Sequence, residues 1–537
     1  MKWWGWGDPN RRVEVGPDGL AMLRSELGES EPAERVGLEA VVMPAALPLP
    51  PQIVDTVGPA AVLTGQEHRV RRAAGRSYPD LVRLRSGNLE AAPDAVVEPG
   101  SADQVRALLA ECAAARVAVV PFGGGSSVVG GVNPVADGFP AVISLDLRRL
   151  DRLLGVDHTS LTATFEGGLF GPEAERKLAA EGLTLGHFPQ SFEYSTVGGW
   201  VATRSAGQAS TGYGRIDELV EGLRMVAPGG EVGAKALPAT AAGPDLRELM
   251  IGSEGVLGVI CETTLRVRTL PSTRRYEGWS FRSFAEGCEA LRVMEQADAS
   301  PDVIRLSDEE ETRLSLTLAS TGSATERLGR AYLRMRGHEG GCITIVGFEG
   351  DDDDVERRRL HTSSLLRAGG GLALGQRPGQ SWLRGRYAGP YLRDALMGLG
   401  GFVETLETAT TWSNLPTLYA AVGDALRSSL SGRGTPPLVM CHVSHLYRSG
   451  ASLYFTFLAR QEADAPLDQW RAAKTAACDA IVANGGTITH HHAIGRDHVP
   501  WMRAETGPLG VDVLRAAKAT ADPAGIMNPG KLLPEPA

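Results

Sequence analysis

Residues 117–131 read VAVVPFGGGSSVVGG. The apolar, β-branched run that ends at Pro121 and Phe122 has the character of a buried strand, and it empties directly into Gly123, Gly124, Gly125, Ser126 and Ser127. Glycines leave the backbone free to approach a ligand, and successive amides can then point into one concavity, a nest suited to a pyrophosphate. The spacing differs from the GxGxxG that opens a long helix, and no P-loop lysine follows. The common NAD and ATP motifs are therefore disfavoured.

Working outward, DAVVEP (94–99) reads as a strand and SADQVRALLAECAAA as a helix capped by Ser101, which makes a strand, helix, strand unit with the opening run. Further strands are expected at Ala141 to Asp146 and in SLTATFEGG, and a helix in GPEAERKLAAEG closes at Gly182. From Ser191 to Arg268 the chain is rich in Gly, Thr and Val and continues the same domain. Beyond Pro271 longer helices such as FAEGCEALRVMEQA alternate with strands such as CITIVGFEG (342–350) and SLYFTFLAR (452–460). The expected fold class is α+β, with sheets of mixed direction. Its parts are an N-terminal extension (1–86), a nucleotide-binding domain (87–270), a substrate domain (271–475) and a C-terminal segment (476–537). Turn signals at Asn528, Pro529 and Gly530 fold that segment back onto the nucleotide domain.

A chain of 537 residues with 43% hydrophobic and 22% charged residues has the balance of an ordinary globular enzyme. The charge sum, 54 minus 64, is -10, and no basic stripe suggests nucleic acid. Six dispersed cysteines without CxxC pairs fit reduced thiols in a cytoplasm, and no signal peptide or spanning segment is evident. GDDDDVERRR reads as a solvated helix start rather than a metal site, because four adjacent carboxylates cannot converge on one ion. Trp3, Trp4 and Trp6 fit either a peripheral membrane contact or packing on the protein's own surface, and the second is preferred.

Two further stretches, HFPQSFEYSTVGGWVATRSAGQASTGYGRIDELV from His187 and IGSEGVLGVI (251–260), follow the Gly-rich loop in order. Together the three resemble the vanillyl-alcohol oxidase type of FAD domain. The resemblance implies a flavin held by Pro121, Gly123, Gly124, Gly125, Ser126 and Ser127 in the loop. Gln190, Ser191, Ser195, Thr196, Gly198, Gly199, Thr203 and Ser205 come from the second stretch, and Glu254, Gly255, Gly258, Val259 and Ile260 from the third. No His or Cys lies between Val117 and Pro134, so attachment of the flavin at that loop is excluded and non-covalent FAD is expected.

MKWWGWGDP, GRSYPDLVRLRSG, PYLRD, LETATTW, LYFTF and NGGTITHHHAIG extend the likeness over nearly the whole chain to the alkyl-dihydroxyacetone phosphate synthases, the ether-lipid enzymes. That resemblance implies an alkyl transfer on a phosphorylated, lipid-like substrate through a flavin N5 adduct, without net redox change, and a homodimer. It assigns Tyr454 as the acid/base group, its pKa lowered from about 10 by nearby cations. His491 and His492 join it, with His490 as outward or supporting, substrate-binding member, because on a strand or turn after Gly485 and Gly486 successive rings point in opposite directions. His187 completes the catalytic set, and Arg393 and Arg305 bind substrate. The competing reading is an FAD-dependent oxidase or dehydrogenase of a small hydroxy acid or alcohol. Between Arg305 and Cys342 the chain is polar and departs from the aromatic, Lys-rich text of the animal synthases, which puts a long acyl chain in question. The Ala-, Gly- and Arg-rich text looks bacterial.

Overall fold

The computed structural model describes residues 1–318 and 323–535. The strand expected at the outset spans Ala118–Phe122. It lies in a four-stranded sheet ordered Val62–Leu63, Ala95–Val97, Val142–Asp146, Ala118–Phe122. The last three strands are parallel, so the Gly-rich loop leaves from a carboxyl edge, where open α/β sheets bind ligands. Helix Ala102–Ala115 crosses between two of them. Its Ser101 hydroxyl accepts the Gln104 amide, and its buried Val105, Leu108, Leu109 and Cys112 face the sheet core.

A second, antiparallel sheet of five strands contains Thr162–Glu166, Val259–Arg266 and Val220–Ala227 at its centre. The short helix Val197–Ala202, capped by Thr196, packs on it and carries Gly198 and Gly199 toward the Gly-rich loop. A third, antiparallel sheet is built only from residues beyond Pro271. Its strands include Cys342–Gly350, Val303–Ser307, Leu438–Val443, Gly450–Arg460 and Gly401–Thr411. One face packs on helices such as Phe284–Gln296 and Leu415–Gly432 through the largest buried cluster of the molecule.

Both ends of the chain are built into this frame. Trp3 and Trp6 are buried, the Trp6 amide donates to Asp394 Oδ2 at 2.6 Å, and Lys2, Arg35 and Arg85 lie over the Trp4 ring. The tryptophan cluster is therefore packed on the protein's own body, the preferred of its two readings. At the other end Asn528 donates its amide to the Val119 carbonyl at 2.8 Å, which returns the tail to the first sheet. Asp351 caps helix Asp352–Ala368, so the acidic run is a helix start. No helix among the described residues is long and apolar enough to cross a membrane.

Candidate active site

The loop after Phe122 presses against Tyr194–Thr196. A Cβ on Gly123 would fall 2.3 Å from the Thr196 hydroxyl, and one on Gly124 would fall 1.8 Å from the Tyr194 carbonyl oxygen. Only glycine permits that approach. Among the described residues, the amides of Gly123 through Ser127 donate to no protein acceptor. Consecutive unpaired amides on one wall of a cavity are the donor set a diphosphate needs. The cavity has a volume of about 540 Å³, and every cofactor residue expected from the sequence, from Pro121 to Ile260, lies on its wall.

The third sheet supplies the cavity's other wall. Pairing sets Glu407, Tyr454 and His442 side by side across three strands, then Thr405, Thr456 and Met440, then Val403 and Leu458. Residues two apart along a strand share a face, so one sheet face grades from ionisable through hydroxyl to aliphatic side chains. Leu453, Phe455 and Phe457 point the other way into the core. The aliphatic end continues over Leu314, Leu318, Leu392 and Leu396.

At the ionisable end the Tyr454 ring stacks on His442, with centroids 4.7 Å apart and planes 19° apart. His442 Nδ1 lies 3.1 Å from both Glu311 Oε2 and Arg305 Nη2, and Arg305 also binds Glu311. Burial pushes the Tyr454 phenol up to about 12, against the opposing Thr405 hydrogen bond and the Arg305 charge. The lowered value expected from nearby cations is therefore corrected: desolvation outweighs Arg305, and the phenol is protonated near neutrality.

Of the strand and the turn expected for the triple histidine, the structure has the turn. It wraps tightly around the buried Glu407 carboxylate, which accepts the amides of His490 at 2.6 Å, His491 at 3.0 Å and His492 at 2.8 Å, and the Thr489 hydroxyl at 2.5 Å. Burial alone would raise the Glu407 carboxyl, but the surrounding histidines, which take on positive charge in acid, and the Thr489 hydroxyl hold it well below the ordinary range. The alternation expected of a strand is thus replaced by an interlocked cluster, with ring centroids 5.2 Å apart for His490 and His491 and 4.8 Å for His491 and His492. His491 and His492 line the cavity. His490 is buried behind them rather than outward, and its ring nitrogens lie 2.9 Å from His491 Nδ1 and 2.5 Å from the Tyr447 hydroxyl. Burial lowers the pKa of all three, that of His492 to about 3, so the rings are neutral and can accept protons.

Arg393 and Arg305 both reach the cavity. Arg393 donates one Nη to the Arg76 carbonyl at 2.8 Å, while its buried Nε has no partner among the described residues. His187 does not reach the cavity. Its ring is fully buried, 4.9 Å from the Trp200 ring, and bonds Ser205 Oγ at 3.2 Å. Burial lowers its pKa to about 3, and its ring stands behind Ser205, which itself lines the cavity. The sequence reading missed Glu407, His442, His445 and Trp6. His442 and His445 were visible as a histidine pair just ahead of LYFTF, and Glu407 as a lone acid inside a strand pattern. Trp6 lines the cavity with its buried Nε1 unpaired.

Two family models cover most of the chain: the FAD binding domain over residues 93–233 and the C-terminal domain of FAD linked oxidases over residues 270–532. With the unpaired amides and the glycine cradle, they make FAD the cofactor of this cavity. Alkyldihydroxyacetonephosphate synthase of Dictyostelium discoideum is 35% identical over 473 residues, covering 87% of this chain and 77% of that protein. The enzyme of the same name from Trypanosoma brucei brucei is 35% identical over 478 residues, 87% and 78% of the two chains. A solved alkyldihydroxyacetonephosphate synthase superposes with a TM-score of 0.86 at 30% identity over 99% of both chains. p-Cresol methylhydroxylase, at 14% identity and TM-score 0.64 over 94% of this chain and 98% of that one, shares the fold. An FAD cradle facing a tyrosine and histidine cluster, in a chain alike over nearly its whole length, places this protein in the alkyldihydroxyacetonephosphate synthase family.

Proposed function

We propose that this chain exchanges the acyl group of an acyl-dihydroxyacetone phosphate for an alkyl group, using non-covalently bound FAD. The observation that carries the reading is the graded sheet face, on which ionisable side chains at Tyr454 and His442, backed by the buried Glu407, give way to Val403 and Leu458 inside one cavity. A substrate with a phosphorylated, polar head and an aliphatic tail has that profile. The helix Glu309–Leu318 adds Leu314 and Leu318 to the aliphatic end, so the polar text after Arg305 still presents an apolar inner side.

In the exchange, the bond from C1 to the carboxylate oxygen breaks and a bond from C1 to the alcohol oxygen forms, while the alcohol gives up its proton. When bound, the flavin supplies an electrophilic ring that can exchange a carbon substituent without net electron transfer. The chain's own groups move the protons and hold the charges. Neutral His491 and His492 can accept a proton from C1 and return one to it, so that the carbon keeps both hydrogens, and the alcohol's proton can refill the Tyr454 phenol. The protonated Tyr454 phenol can donate to the departing carboxylate. The unpaired Arg393 Nε and the Arg305 guanidinium offer charge-assisted donors to phosphate or carboxylate. The Nδ1 to Nδ1 contact between His490 and His491, continued to the Tyr447 hydroxyl, gives a proton on His491 a route away from the cavity.

The deciding assay supplies labelled fatty acid to the enzyme with acyl-dihydroxyacetone phosphate and no electron acceptor. Label should enter the ester. If it does not over a range of chain lengths, and anaerobic hydroxy acids bleach the flavin instead, the oxidoreductase reading replaces this one. Acid precipitation should leave FAD in the supernatant, and fluorescence retained by the denatured chain would contradict non-covalent binding.

A further inference from the structure

Next to Tyr454, three imidazoles turn nitrogens toward one another. His445 comes from the connection between Leu438–Val443 and Gly450–Arg460, and His490 and His491 come from the turn around Glu407. One ring nitrogen of each lies within 4.8 Å of the other two. The His445 ring stacks on His490 with centroids 5.0 Å apart and stands edge-on to His491 at 5.2 Å. His490 Nδ1 and His491 Nδ1 are 2.9 Å apart.

The outer nitrogens of two of these rings are already engaged. His445 Nδ1 lies 2.8 Å from the Ser210 hydroxyl, and His490 Nε2 lies 2.5 Å from that of Tyr447. A hydrogen bond at one ring nitrogen fixes the tautomer and leaves the lone pair on the other, which is how metal-binding histidines are oriented. The lone pairs left are those of His445 Nε2 and His490 Nδ1. The proton route described above uses His490 and His491 and gives His445 nothing to carry. Buried Glu407 stands 3.6 Å from His491 Nδ1 and supplies negative charge beside the three rings. The opposing charge is Arg215, which bonds Tyr447 and is itself paired with Asp217 at 3.0 Å.

Three imidazoles with a carboxylate beside them suit a borderline cation, whereas magnesium and calcium take sets of oxygen ligands. Zinc holds imidazole nitrogens at about 2.0–2.1 Å, so its tetrahedral ligand atoms stand roughly 3.3 Å apart. The two Nδ1 atoms have only to part slightly and His445 to swing inward, which ring rotation supplies. His445 and His491 both line the cavity, so the cation enters from there and keeps its fourth position open toward it.

The geometry points to a zinc site at His445, His490 and His491, open to the active-site cavity, whose occupation stops the exchange. Zinc there takes the His491 lone pair needed for the proton of C1 and breaks the contact between His490 and His491. The inhibitory effect rests on the acyl-exchange reading above; the binding of zinc does not.

The test strips the FAD-loaded full chain with a chelator and dialyses it against zinc. One equivalent should bind tightly, and cobalt(II) in its place should give the visible bands of a four-coordinate site at wavelengths beyond the flavin's. Exchange of labelled fatty acid should fall in step with zinc occupancy and return on chelation. His445→Ala should lose the tight equivalent. Ser210→Ala removes only the outer partner and should weaken binding by about 10- to 100-fold; it decides the matter if His445→Ala loses its flavin. Absence of a tight equivalent in the parent, or unchanged affinity in the variants, would overturn the site. Full exchange with zinc bound would overturn its inhibitory role. A chain that binds zinc in this way yet exchanges no fatty acid before zinc is added would sink the functional reading and leave the site standing.

Discussion

The two ends of the cavity are made in different ways. The cofactor end is written in main chain: five amides in a row, and glycines that let them press against Tyr194–Thr196. The chemical end is written in side chains from separate elements, Arg305, Glu407, His442, Tyr454 and His490 to His492. Sheet register and one carboxylate bring them together. Damage to the first should therefore be all or none for the flavin. Damage to the second should leave the flavin in place and remove chemistry by degrees.

The largest effect is expected at Gly124. Its Cβ would meet a backbone carbonyl at 1.8 Å, which no side-chain rotation relieves, so Gly124→Ala should be recovered without visible flavin absorbance. Gly385→Ala, with open space around it, should keep its flavin and serves as the control. Flavin retained at Gly124→Ala would mean that the cradle does not set the grip. Next comes Tyr454→Phe, which keeps the ring that stacks on His442 and loses only the hydroxyl. Flavin content should stay full, and exchange should fall by roughly 10²- to 10⁴-fold, the range for loss of a positioned proton donor. A loss below tenfold would return Tyr454 to a packing role.

The same contrast explains what the sequence disclosed. A cradle made of consecutive residues is legible because glycine is chosen for its backbone, and the strand, helix, strand unit around Ser101 follows from local spacing. The antiparallel face was half legible: LYFTF alternates, so Tyr454 and Thr456 on one side and Phe455 and Phe457 on the other could be anticipated. Its partners could not, since register between Gly401–Thr411, Leu438–Val443 and Gly450–Arg460 is a long-range property. Glu407 stood inside a quoted motif without a role because its partners are amides more than eighty residues away. The polarity of those amides selects the turn over the strand for the histidines. His187 marks the opposite limit: a likeness of motif says nothing about which side of a wall a ring occupies, and this ring lies behind Ser205.

Glu407→Gln addresses that organising carboxylate. An amide cannot accept all four donors, so the turn should shift, and a displacement of about 1 Å costs on the order of 10²-fold in rate with flavin retained. Its pH dependence has a definite sign. The folded carboxyl titrates well below its usual 4.5, so its contribution is complete above that value and is lost as pH falls through the depressed one. Parent and variant melting temperatures should therefore differ most near neutrality and converge in acid. A constant gap from pH 3 to 7 would mean that Glu407 is not a stabilising anion.

Trp6 tests where the two ends meet, because it stands edge-on to Tyr194 beside the cradle and its amide is fixed by Asp394, the neighbour of Arg393. Its buried Nε1 has no acceptor among the described residues. A donor buried without a partner costs about 1–3 kcal/mol, so Trp6→Phe should remove that cost from the flavin-free protein, partly offset by the smaller ring. The flavin-loaded protein should lose a hydrogen bond worth about 1 kcal/mol, roughly fivefold in affinity, if the cofactor is the acceptor. The two changes have opposite signs. Melting of the apoprotein and flavin titration together therefore separate a donor aimed at the cofactor from a tryptophan that only packs, which would weaken both. If affinity for flavin is unchanged while KM for the phosphorylated substrate rises, the N-terminal segment belongs to the chemical end.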